Sequence, residues 1–207
     1  MPHSGKFIVI EGLEGAGKST AIDVVLSTLT THGIDSVSVR EPGGTLIAEQ
    51  IRTILKTSHE EYLNRETELL LMYAARSQLI QEIIYPALSH GKWVIADRFE
   101  WSTYAYQGWG RGIETRFIDA LSELCTNNLQ PDLIIYLNID PEHGLKRAAE
   151  RSKKDRIEQE DLTFFRNVQK GYQHLCENSK NCLMIDASLP LKTVQLNIQE
   201  AIEKLIS

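Results

Sequence analysis

Cysteine and proline are scarce in this chain of 207 residues, and glycine is not abundant. The three cysteines, Cys125, Cys176 and Cys182, form neither a Cys-x-x-Cys pair nor a set with histidine at zinc-ligand spacing. We therefore expect three reduced, partly buried thiols, and a fold that needs neither disulfides nor a structural metal. The 13 glycines and 6 prolines exclude a collagen-like or largely disordered chain.

Long apolar runs are missing as well. The apolar run near the N-terminus, Phe7 to Ile10, is short, and no later segment approaches the roughly 18 apolar residues of a membrane-spanning helix. The sequence therefore predicts a cytoplasmic protein with no membrane partner.

An excess of basic residues is also absent. The chain has 22 Lys and Arg against 28 Asp and Glu, which gives a net charge of −6. Affinity for duplex DNA or for an anionic membrane depends on clustered positive charge. We therefore expect no nucleic-acid partner, although a local basic site is not excluded.

Short runs rich in Val and Ile alternate with longer segments of helical period, a pattern typical of repeated β-α units around a parallel sheet. The runs that predict strands are Phe7–Glu11, Ser36–Arg40, Trp93–Asp97, Leu133–Leu137 and Leu183–Asp186. No repeat and no long linker interrupts them, so we expect one domain over residues 1–207.

The segments between the strands predict helices. These are Lys18–His32, Leu46–Lys56, Arg65–His90 with a kink or an end at Pro86, Arg116–Cys125, Pro141–Arg151, Leu162–Cys176 and Leu191–Ile206. The glycine-rich stretch Gln107–Gly112 predicts a flexible loop.

A phosphate-binding loop follows the first strand. The run Gly12-Leu-Glu-Gly-Ala-Gly-Lys-Ser19 matches G-x-x-x-x-G-K-[ST], and a predicted helix follows it. Glycines let backbone N–H groups surround phosphates, Lys18 reaches the β- and γ-phosphates, and the Ser19 hydroxyl suits Mg²⁺. The ATP-binding residues predicted here are Gly12, Leu13, Glu14, Gly15, Ala16, Gly17, Lys18, Ser19 and Thr20. This predicts a three-layer α/β/α fold of the P-loop NTPase type with a five-stranded parallel sheet.

A second phosphate site is indicated by Asp97-Arg98, at the carboxyl end of a predicted strand. Asp97 there suits Mg²⁺ together with Ser19, and the fork of Arg98 suits a phosphate. A GTPase switch would require Asn-Lys-x-Asp for guanine and Asp-x-x-Gly after a later strand, and neither string occurs in the sequence. Two phosphorylated ligands facing each other are therefore expected.

The chain resembles the thymidylate (dTMP) kinases nearly from end to end. The matching strings are Ile8–Lys18, Arg40-Glu-Pro-Gly-Gly-Thr45, Tyr73-Ala-Ala-Arg76, Asp97-Arg98, Ser102-Thr103, Ala105-Tyr-Gln-Gly108, Pro131-Asp132, Leu145-Lys-Arg147 and Asp155-Arg-Ile-Glu158. The resemblance implies transfer of the γ-phosphate of MgATP to dTMP, giving dTDP, a step in dTTP biosynthesis for DNA synthesis. It also implies a homodimer.

The resemblance further assigns the acceptor site. Arg98 would bind the 5′-phosphate of dTMP, Arg76 a thymine carbonyl, and Tyr106 the deoxyribose. Thr103 and Gln107, with Ser102 beside them, would contact the thymine edge and neighbouring groups. Glu14 would serve the acceptor sugar and its Mg²⁺ or water, and Glu41 either caps the next helix or braces Arg98.

Two positions depart from the family pattern. Met72 stands where a phenylalanine usually stacks on the thymine ring, and Phe99 follows Asp97-Arg98 where tyrosine or histidine is more common. A methionine sulfur can lie against a ring, so we expect weaker or differently shaped stacking.

A basic lid is expected over about residues 146–158, because the phosphate loop itself carries no arginine and the segment Lys146–Arg156 holds six basic residues. Positive charge there would stabilise the migrating phosphoryl group. Arg151 and Arg156 are the leading candidates for phosphate contact, followed by Arg147. The resemblance is thus to bacterial members that use lid arginines.

Other functions remain open from the residues alone. A kinase for another nucleoside monophosphate or a nucleoside shares the loop and lid, and a regulator could bind ATP without catalysis. A nucleic-acid-binding protein fits the acidic composition poorly.

Overall fold

The computed structural model describes residues 5–150 and 155–207. Its strands are β1 Phe7–Gly12, β2 Ser36–Arg40, β3 Trp93–Asp97, β4 Leu133–Asn138 and β5 Cys182–Asp186. They form one sheet in the order β2-β3-β1-β4-β5, in which every neighbouring pair is parallel. The predicted five-stranded parallel sheet is confirmed, and each strand boundary lies within one residue of the prediction.

Helices and two π-helical segments connect the strands. The α-helices are α1 Lys18–Thr31, α2 Leu46–Lys56, α3 Arg65–Leu79, α4 Tyr85–Ser89, α5 Glu100–Thr103, α6 Thr115–Thr126, α7 Pro141–Ala149, α8 Leu162–Glu177 and α9 Leu191–Ile206. The π-helical segments are Ile80–Ile84 and Tyr104–Gly110.

Alternate residues of the central strand β1 face opposite layers of helices. Ile8 and Ile10 belong to a core built with α1, α8 and α9, whose fully buried members include Val25, Phe165 and Ile202. Phe7 and Val9 belong to a second core built with the end of α3, the segment Ile80–Ile84 and α4. The sheet is therefore covered on both faces, which confirms the three-layer α/β/α arrangement.

The strand order brings two chain ends to one edge of the sheet. In the parallel register of β1 and β3, Ile10 lies beside Asp97, so the loop after Gly12 and the residues after Asp97 leave the sheet side by side. Open parallel sheets bind their ligands at such carboxyl ends. The phosphate loop and Asp97-Arg98 are therefore neighbours in space.

The long helix predicted over Arg65–His90 is interrupted. It ends as α3 at Leu79, continues as the π-helical segment Ile80–Ile84, and resumes as α4. Tyr85 N–H donates to the carbonyl of Ile80, five residues back. The wider turn directly precedes Pro86, whose ring and missing N–H disfavour regular α-helix, so the proline changes the helix before its own position.

The prediction of a flexible loop over Gln107–Gly112 is wrong. Gln107–Gly110 belong to the π-helical segment Tyr104–Gly110, Arg111 and Gly112 follow it, and Gln107 and Gly108 are buried. A Cβ on Gly110 would collide with the Phe164 ring, so this glycine permits close packing against α8 instead of mobility.

The expectation of three reduced thiols is also wrong. Cys176, near the end of α8, and Cys182, at the start of β5, form a disulfide, whereas Cys125 is free and half-buried. The tight α8–β5 connection brings the two Cα atoms to 5.4 Å, within the range that a disulfide needs. Spacing along the sequence does not reveal that turn.

Within residues 5–150 and 155–207, none of the helices is both long and apolar enough to cross a bilayer.

Candidate active site

The phosphate loop joins β1 to α1 with backbone angles that favour glycine. Gly15 and Gly17 have φ values of 72° and 95°, and a Cβ on Gly15 would collide with the carbonyl oxygen of Gly144 in α7. No acidic residue lies in the first turn of α1, so its N–H groups face the loop without a competing carboxylate. Leu13 and Ala16 are buried in the core, and the Ala16 N–H donates to the Leu13 carbonyl at 3.3 Å, which fixes the turn of the loop.

Lys18 folds back over this loop. Its Nζ donates to the carbonyl oxygens of Gly12 at 3.0 Å and Leu13 at 2.8 Å. Burial, followed by repulsion from Arg98, lowers the pKa of Lys18 to about 8, against the attraction of nearby carboxylates. A polyphosphate beside Lys18 would stabilise its charged form. Ser19 is exposed next to it, and Thr20 is half-buried.

Arg98 follows β3 in a left-handed conformation, with φ of 70°. Such an angle is uncommon for a residue with a Cβ and is often found at functional sites. Its Nη2 donates to Glu14 Oε1 at 2.7 Å and to the Tyr106 hydroxyl at 3.2 Å. Its Nη1 donates to Ser102 Oγ at 3.3 Å and to the Tyr172 hydroxyl at 3.1 Å. The guanidinium is thus fixed in place by four side chains.

Glu14 lies between the phosphate loop and Arg98. Besides Arg98, its carboxylate accepts a hydrogen bond from the Tyr106 hydroxyl at 2.7 Å. Burial alone would raise the pKa of Glu14, but the charges of Arg98 and Lys18 together hold it below the ordinary value. Glu14 is therefore an anion that ties the loop to the Asp97-Arg98 turn.

Arg76 forms the other end of the site. It is 2% exposed, and its Nε donates to Glu41 Oε2 at 2.7 Å. Its Nη2 donates to the Phe99 carbonyl and to Thr103 Oγ1, each at 3.0 Å. Its Nη1 is buried and has no partner among the described residues, so one N–H₂ group of a fixed guanidinium remains to donate.

Glu41 has neither of its two predicted roles. Helix α2 is capped by Thr45, whose side chain accepts the Ala48 N–H at 3.1 Å, and Glu41 pairs with Arg76 instead of Arg98. Burial raises the pKa of Glu41 to about 7, although Arg76 opposes the shift. The cause of the difference is that the turn after β2 directs Glu41 toward α3, which the sequence does not reveal.

These groups line one cavity of about 300 Å³. The predicted residues on its wall are Glu14, Gly15, Gly17, Lys18, Ser19, Glu41, Met72, Arg76, Asp97, Arg98, Ser102, Thr103, Tyr106 and Gln107. Predicted residues that are described but do not line it are Gly12, Leu13, Ala16, Thr20, Arg147 and Arg156. Met72 is half-buried, and Gln107 donates from Nε2 to Glu68 at 2.8 Å.

Asp97 and Ser19 fit the magnesium role predicted for them. Asp97 Oδ1 is buried and has no hydrogen-bond partner within the described residues, and the Ser19 hydroxyl lines the same cavity. Among the residues that the structure describes, no cluster of three or more His, Cys, Asp or Glu side chains could hold a metal. One carboxylate and one hydroxyl suit Mg²⁺, which takes oxygen ligands and keeps waters or substrate phosphates.

The predicted lid is described in part. Arg151 lies outside the described residues, and Arg147 on α7 donates to the Ala187 carbonyl at 3.3 Å. Arg156 donates to the Leu55 carbonyl at 2.8 Å and to the buried Glu68 at 2.5 Å. Its predicted contact with phosphate stays a prediction, and would require Arg156 to leave Glu68.

Several cavity residues were missed by the sequence reasoning. Arg52 and Lys56 also line the cavity, as do Arg40, Asp155 and Glu158, which the matching strings contain but to which no site role was assigned. Arg52 and Lys56 are four residues apart on α2, and that spacing could have indicated one basic helix face. Tyr172 accepts a hydrogen bond from Arg98 and donates one to Glu11. The sequence carries no comparable signal for either residue, except that Glu11 is acidic in an otherwise apolar strand.

Comparison with known proteins gives a consistent result. A model of the thymidylate kinase family matches residues 10–198. The thymidylate kinase of Legionella pneumophila (strain Corby) is 51% identical over 204 residues, covering 98% of this chain and 96% of the relative. That of Colwellia psychrerythraea is 48% identical over 200 residues, 96% and 94% of the two chains. That of Pseudoalteromonas translucida is 51% identical over 193 residues, 93% of each.

Proposed function

The chain belongs to the thymidylate kinase family and transfers the terminal phosphate of ATP to dTMP, giving dTDP for dTTP synthesis; from this premise we propose how its residues act. The acceptor dTMP lies along the cavity, with its base at Arg76 and its 5′-phosphate at Arg98. The donor triphosphate lies on the phosphate loop at Lys18.

The acceptor assignment follows from hydrogen-bonding capacity. A guanidinium donates and never accepts, so Arg76 Nη1 selects a base carbonyl over an exocyclic amino group. Thr103 and Gln107 extend this end of the cavity, and Met72 lies where it can pack against the base. Tyr106, held by Glu14, is the wall beside the deoxyribose and disfavours a 2′-hydroxyl.

The donor assignment follows from the loop. Backbone N–H groups of Gly12–Thr20 surround the phosphates, and the charge of Lys18 neutralises them. Asp97 and Ser19 would hold Mg²⁺, which when bound with ATP neutralises phosphate charge and orients the triphosphate.

In the transfer, an oxygen of the dTMP phosphate attacks the γ-phosphorus, the bond from that phosphorus to the β-γ bridging oxygen breaks, and ADP leaves. No nucleophilic side chain is needed. Lys18 and Arg98 keep the two phosphates in line. Glu14 holds Arg98 in place before the substrate binds, so little free energy is spent on orienting the guanidinium during the reaction. Lid closure, with Arg151 as the leading phosphate contact and Arg147 and Arg156 near it, excludes water that would hydrolyse ATP.

One observation carries this assignment. Lys18, Arg98 and Arg76 line a single cavity, and the buried Nη1 of Arg76 has no hydrogen-bond partner in the described part of the chain. That cavity therefore offers a cation for the phosphates of ATP at Lys18, a cation for the phosphate of dTMP at Arg98, and a hydrogen-bond donor for a base carbonyl at Arg76.

Steady-state kinetics test the proposal. Purified protein is mixed with MgATP and, separately, with dTMP, dUMP, UMP, CMP, AMP and GMP, while ADP is measured. We expect turnover that depends on dTMP, and a fall in kcat/KM of about 10²–10³-fold in Arg98→Ala. The matched control is Arg166→Ala, which removes an exposed arginine on α8 paired with the exposed Glu142 and should change the rate by less than about twofold.

The other outcomes are informative. Comparable rates with dUMP would mean that Met72 relaxes selection of the 5-methyl group. Turnover with AMP but not dTMP would contradict the base assignment to Arg76, because adenine has no carbonyl. Tight ATP binding without any turnover would favour a regulator.

Two wider features also belong to the proposal. The cytoplasm is the expected location, since both substrates are charged nucleotides that do not cross membranes unaided. The protein is expected to be a homodimer, a partnership consistent with exposed apolar residues on three adjacent helices, α2, α3 and α6.

A further inference from the structure

Glu11 is a fully buried carboxylate in the central strand. It follows the apolar residues Phe7 to Ile10 of β1, directly precedes the phosphate loop, and is 0% exposed. It neither lines the cavity nor enters the mechanism above. A carboxylate in this position costs free energy unless its oxygens are satisfied.

Four donors satisfy those oxygens. Oε1 accepts the Phe99 N–H at 2.9 Å and the Ser102 N–H at 3.2 Å. Oε2 accepts the Ser102 hydroxyl at 2.7 Å and the Tyr172 hydroxyl at 2.9 Å. Burial raises the pKa of Glu11, while the charge of Arg98 and these donors act in the opposite direction. All four donors lie in the segment after Arg98 or in α8.

The two backbone contacts fix the chain immediately after Arg98. Helix α5 begins at Glu100, and its N-cap residue, Phe99, contributes no side-chain cap. Glu11 accepts the Phe99 N–H and shares the Ser102 N–H with the Phe99 carbonyl, which lies 3.2 Å from the Ser102 nitrogen. A residue of β1 therefore caps the start of α5 from the neighbouring strand. The unusual left-handed conformation of Arg98 is thereby held from both sides, since the Arg98 N–H donates to the Ile10 carbonyl at 3.0 Å.

The two hydroxyl contacts fix the Arg98 side chain. Ser102 Oγ and the Tyr172 hydroxyl both donate to Glu11, and both accept from Arg98 Nη1. With Glu11 accepting their hydrogens, the lone pairs of both hydroxyls point toward the guanidinium. Tyr172 is itself held by stacking on Tyr136, with ring centroids 5.1 Å apart.

We propose that Glu11 is the positioning residue of Arg98: through the N–H groups of Phe99 and Ser102 and the hydroxyls of Ser102 and Tyr172, it sets both the backbone and the side chain of the acceptor-phosphate arginine. Glu11 touches neither substrate. The inference rests on the proposed contact between Arg98 and the 5′-phosphate of dTMP.

Glu11→Gln is the test, because it keeps the size and removes one acceptor. An amide N–H₂ group in place of one carboxylate oxygen must face at least one of the four donors. Two donors then meet, at least one hydrogen bond is lost, and Arg98 is held less firmly. The measured quantities are the dissociation constant of dTMP and the inhibition constant of thymidine, which has the same base and sugar without the phosphate. We expect dTMP binding to weaken about tenfold, in line with hydrogen bonds to charged groups, and thymidine inhibition to change by less than about twofold.

A double-mutant cycle separates positioning from general damage. Tyr172→Phe should weaken dTMP binding by about three- to fivefold, and the double variant Glu11→Gln/Tyr172→Phe should be no worse than Glu11→Gln alone. Tyr85→Phe is the matched control, since it removes a half-buried tyrosine hydroxyl whose hydrogen bond is to the Thr126 carbonyl and not to a member of the Arg98 network. It should leave both constants unchanged. If Glu11→Gln does not fold, the ratio of dTMP affinity to thymidine affinity is measured in Tyr172→Phe instead. An unchanged ratio in that variant would overturn the inference.

Equal weakening of dTMP and thymidine, or additive effects in the cycle, would overturn the inference and leave Glu11 a structural residue. Arg98→Lys distinguishes its failure from failure of the proposed function. If Arg98→Lys keeps the wild-type ratio of dTMP to thymidine affinity, Arg98 is not the phosphate ligand and both proposals fall. If Arg98→Lys loses that ratio while Glu11→Gln keeps it, this inference alone is wrong.

Discussion

At the scale of single residues, the buried carboxyl of Glu41 makes the stability of the fold depend on pH. Its pKa is raised by burial from an ordinary value of 4.5 to about 7. Between those values the folded protein binds more protons than the unfolded chain, so the contribution of Glu41 to stability falls as pH rises. We expect wild type to lose stability relative to Glu41→Gln between about pH 5 and about pH 8, measured by urea unfolding across that range.

Glu49 is the matched control for this prediction. It lies eight residues further on, and the Gly44 N–H and Arg40 lower its pKa. Its contribution to stability is present above its ordinary pKa and is lost only at more acidic pH. The stability difference between wild type and Glu49→Gln should therefore be constant from about pH 5 to about pH 8. A constant difference for Glu41→Gln as well would contradict the raised pKa.

Residues whose chemistry is carried by a local string were predictable. Lys18 and Arg98 were placed correctly beside each other, because a phosphate loop and a strand-ending Asp-Arg each have a physical reason to lie at the sheet edge. Glu11 and Tyr172 were not predictable, since they meet across 161 positions of the chain. Contacts of that kind depend on helix packing that no local pattern encodes.

At the scale of elements, the buried carboxylate of Glu68 joins the end of the predicted lid to α3, the helix that carries Arg76. Glu68 on α3 is 1% exposed and accepts from Gln107, Arg111 and Arg156. Arg156 is further held by its backbone N–H, which donates to the Lys56 carbonyl at 3.1 Å. In this conformation Arg156 anchors the segment that carries Asp155 and Glu158 to the cavity wall.

The two leading lid arginines should therefore differ in their effects. We expect Arg156→Ala to lower the free energy of unfolding by about 3 kcal/mol, as for a broken buried ion pair, with kcat reduced less than about tenfold. Arg151→Ala should lower kcat more than about 100-fold. Denaturant unfolding and steady-state kinetics on the same samples measure both. A large loss of kcat without destabilisation in Arg156→Ala would instead favour a phosphate contact for this residue.

Helices were predicted well where apolar spacing is regular and poorly where side-chain packing changes the backbone. The limits of α2 and α9 were predicted to the residue. The segments Ile80–Ile84 and Tyr104–Gly110 were not predicted as π-helical. The wider turn of the first precedes Pro86, and the second packs closely against α8. Glycine in a sequence indicates mobility and tight packing equally, and the fold decides between them.

At the scale of the whole molecule, the sheet was predictable because buried parallel strands need nearly continuous apolar runs and crossover helices between them. The order of strands was not, since a run such as Phe7–Ile10 suits any central position. The same limitation applies to the outer surface. Exposed apolar side chains become visible only once the helices are placed.

Those side chains favour a second copy of the chain as partner. The large apolar residues most exposed on α2, α3 and α6 are Leu46, Ile47, Ile54, Leu70, Phe117 and Leu124. Helix α3 packs against both α2 and α6, so the three helices present adjoining surfaces. Exposed apolar groups on adjoining helices are typical of an interface, and a symmetric dimer would cover the same surface on both copies.

A charged residue on the middle helix of that surface should disrupt the proposed dimer. Leu70 is 57% exposed on α3, the middle helix of the three, and its side chain packs in neither core face of the sheet. Leu70→Glu should yield monomers by light scattering at concentrations where wild type has twice the chain mass of 23.5 kDa. Leu196→Glu is the control, since Leu196 is 56% exposed on α9, which packs against α1 and β5. Dissociation by Leu196→Glu but not by Leu70→Glu would place the interface on α9. An unpaired carboxylate destabilises a dimer when the contact buries it, whereas outside the contact it stays in water.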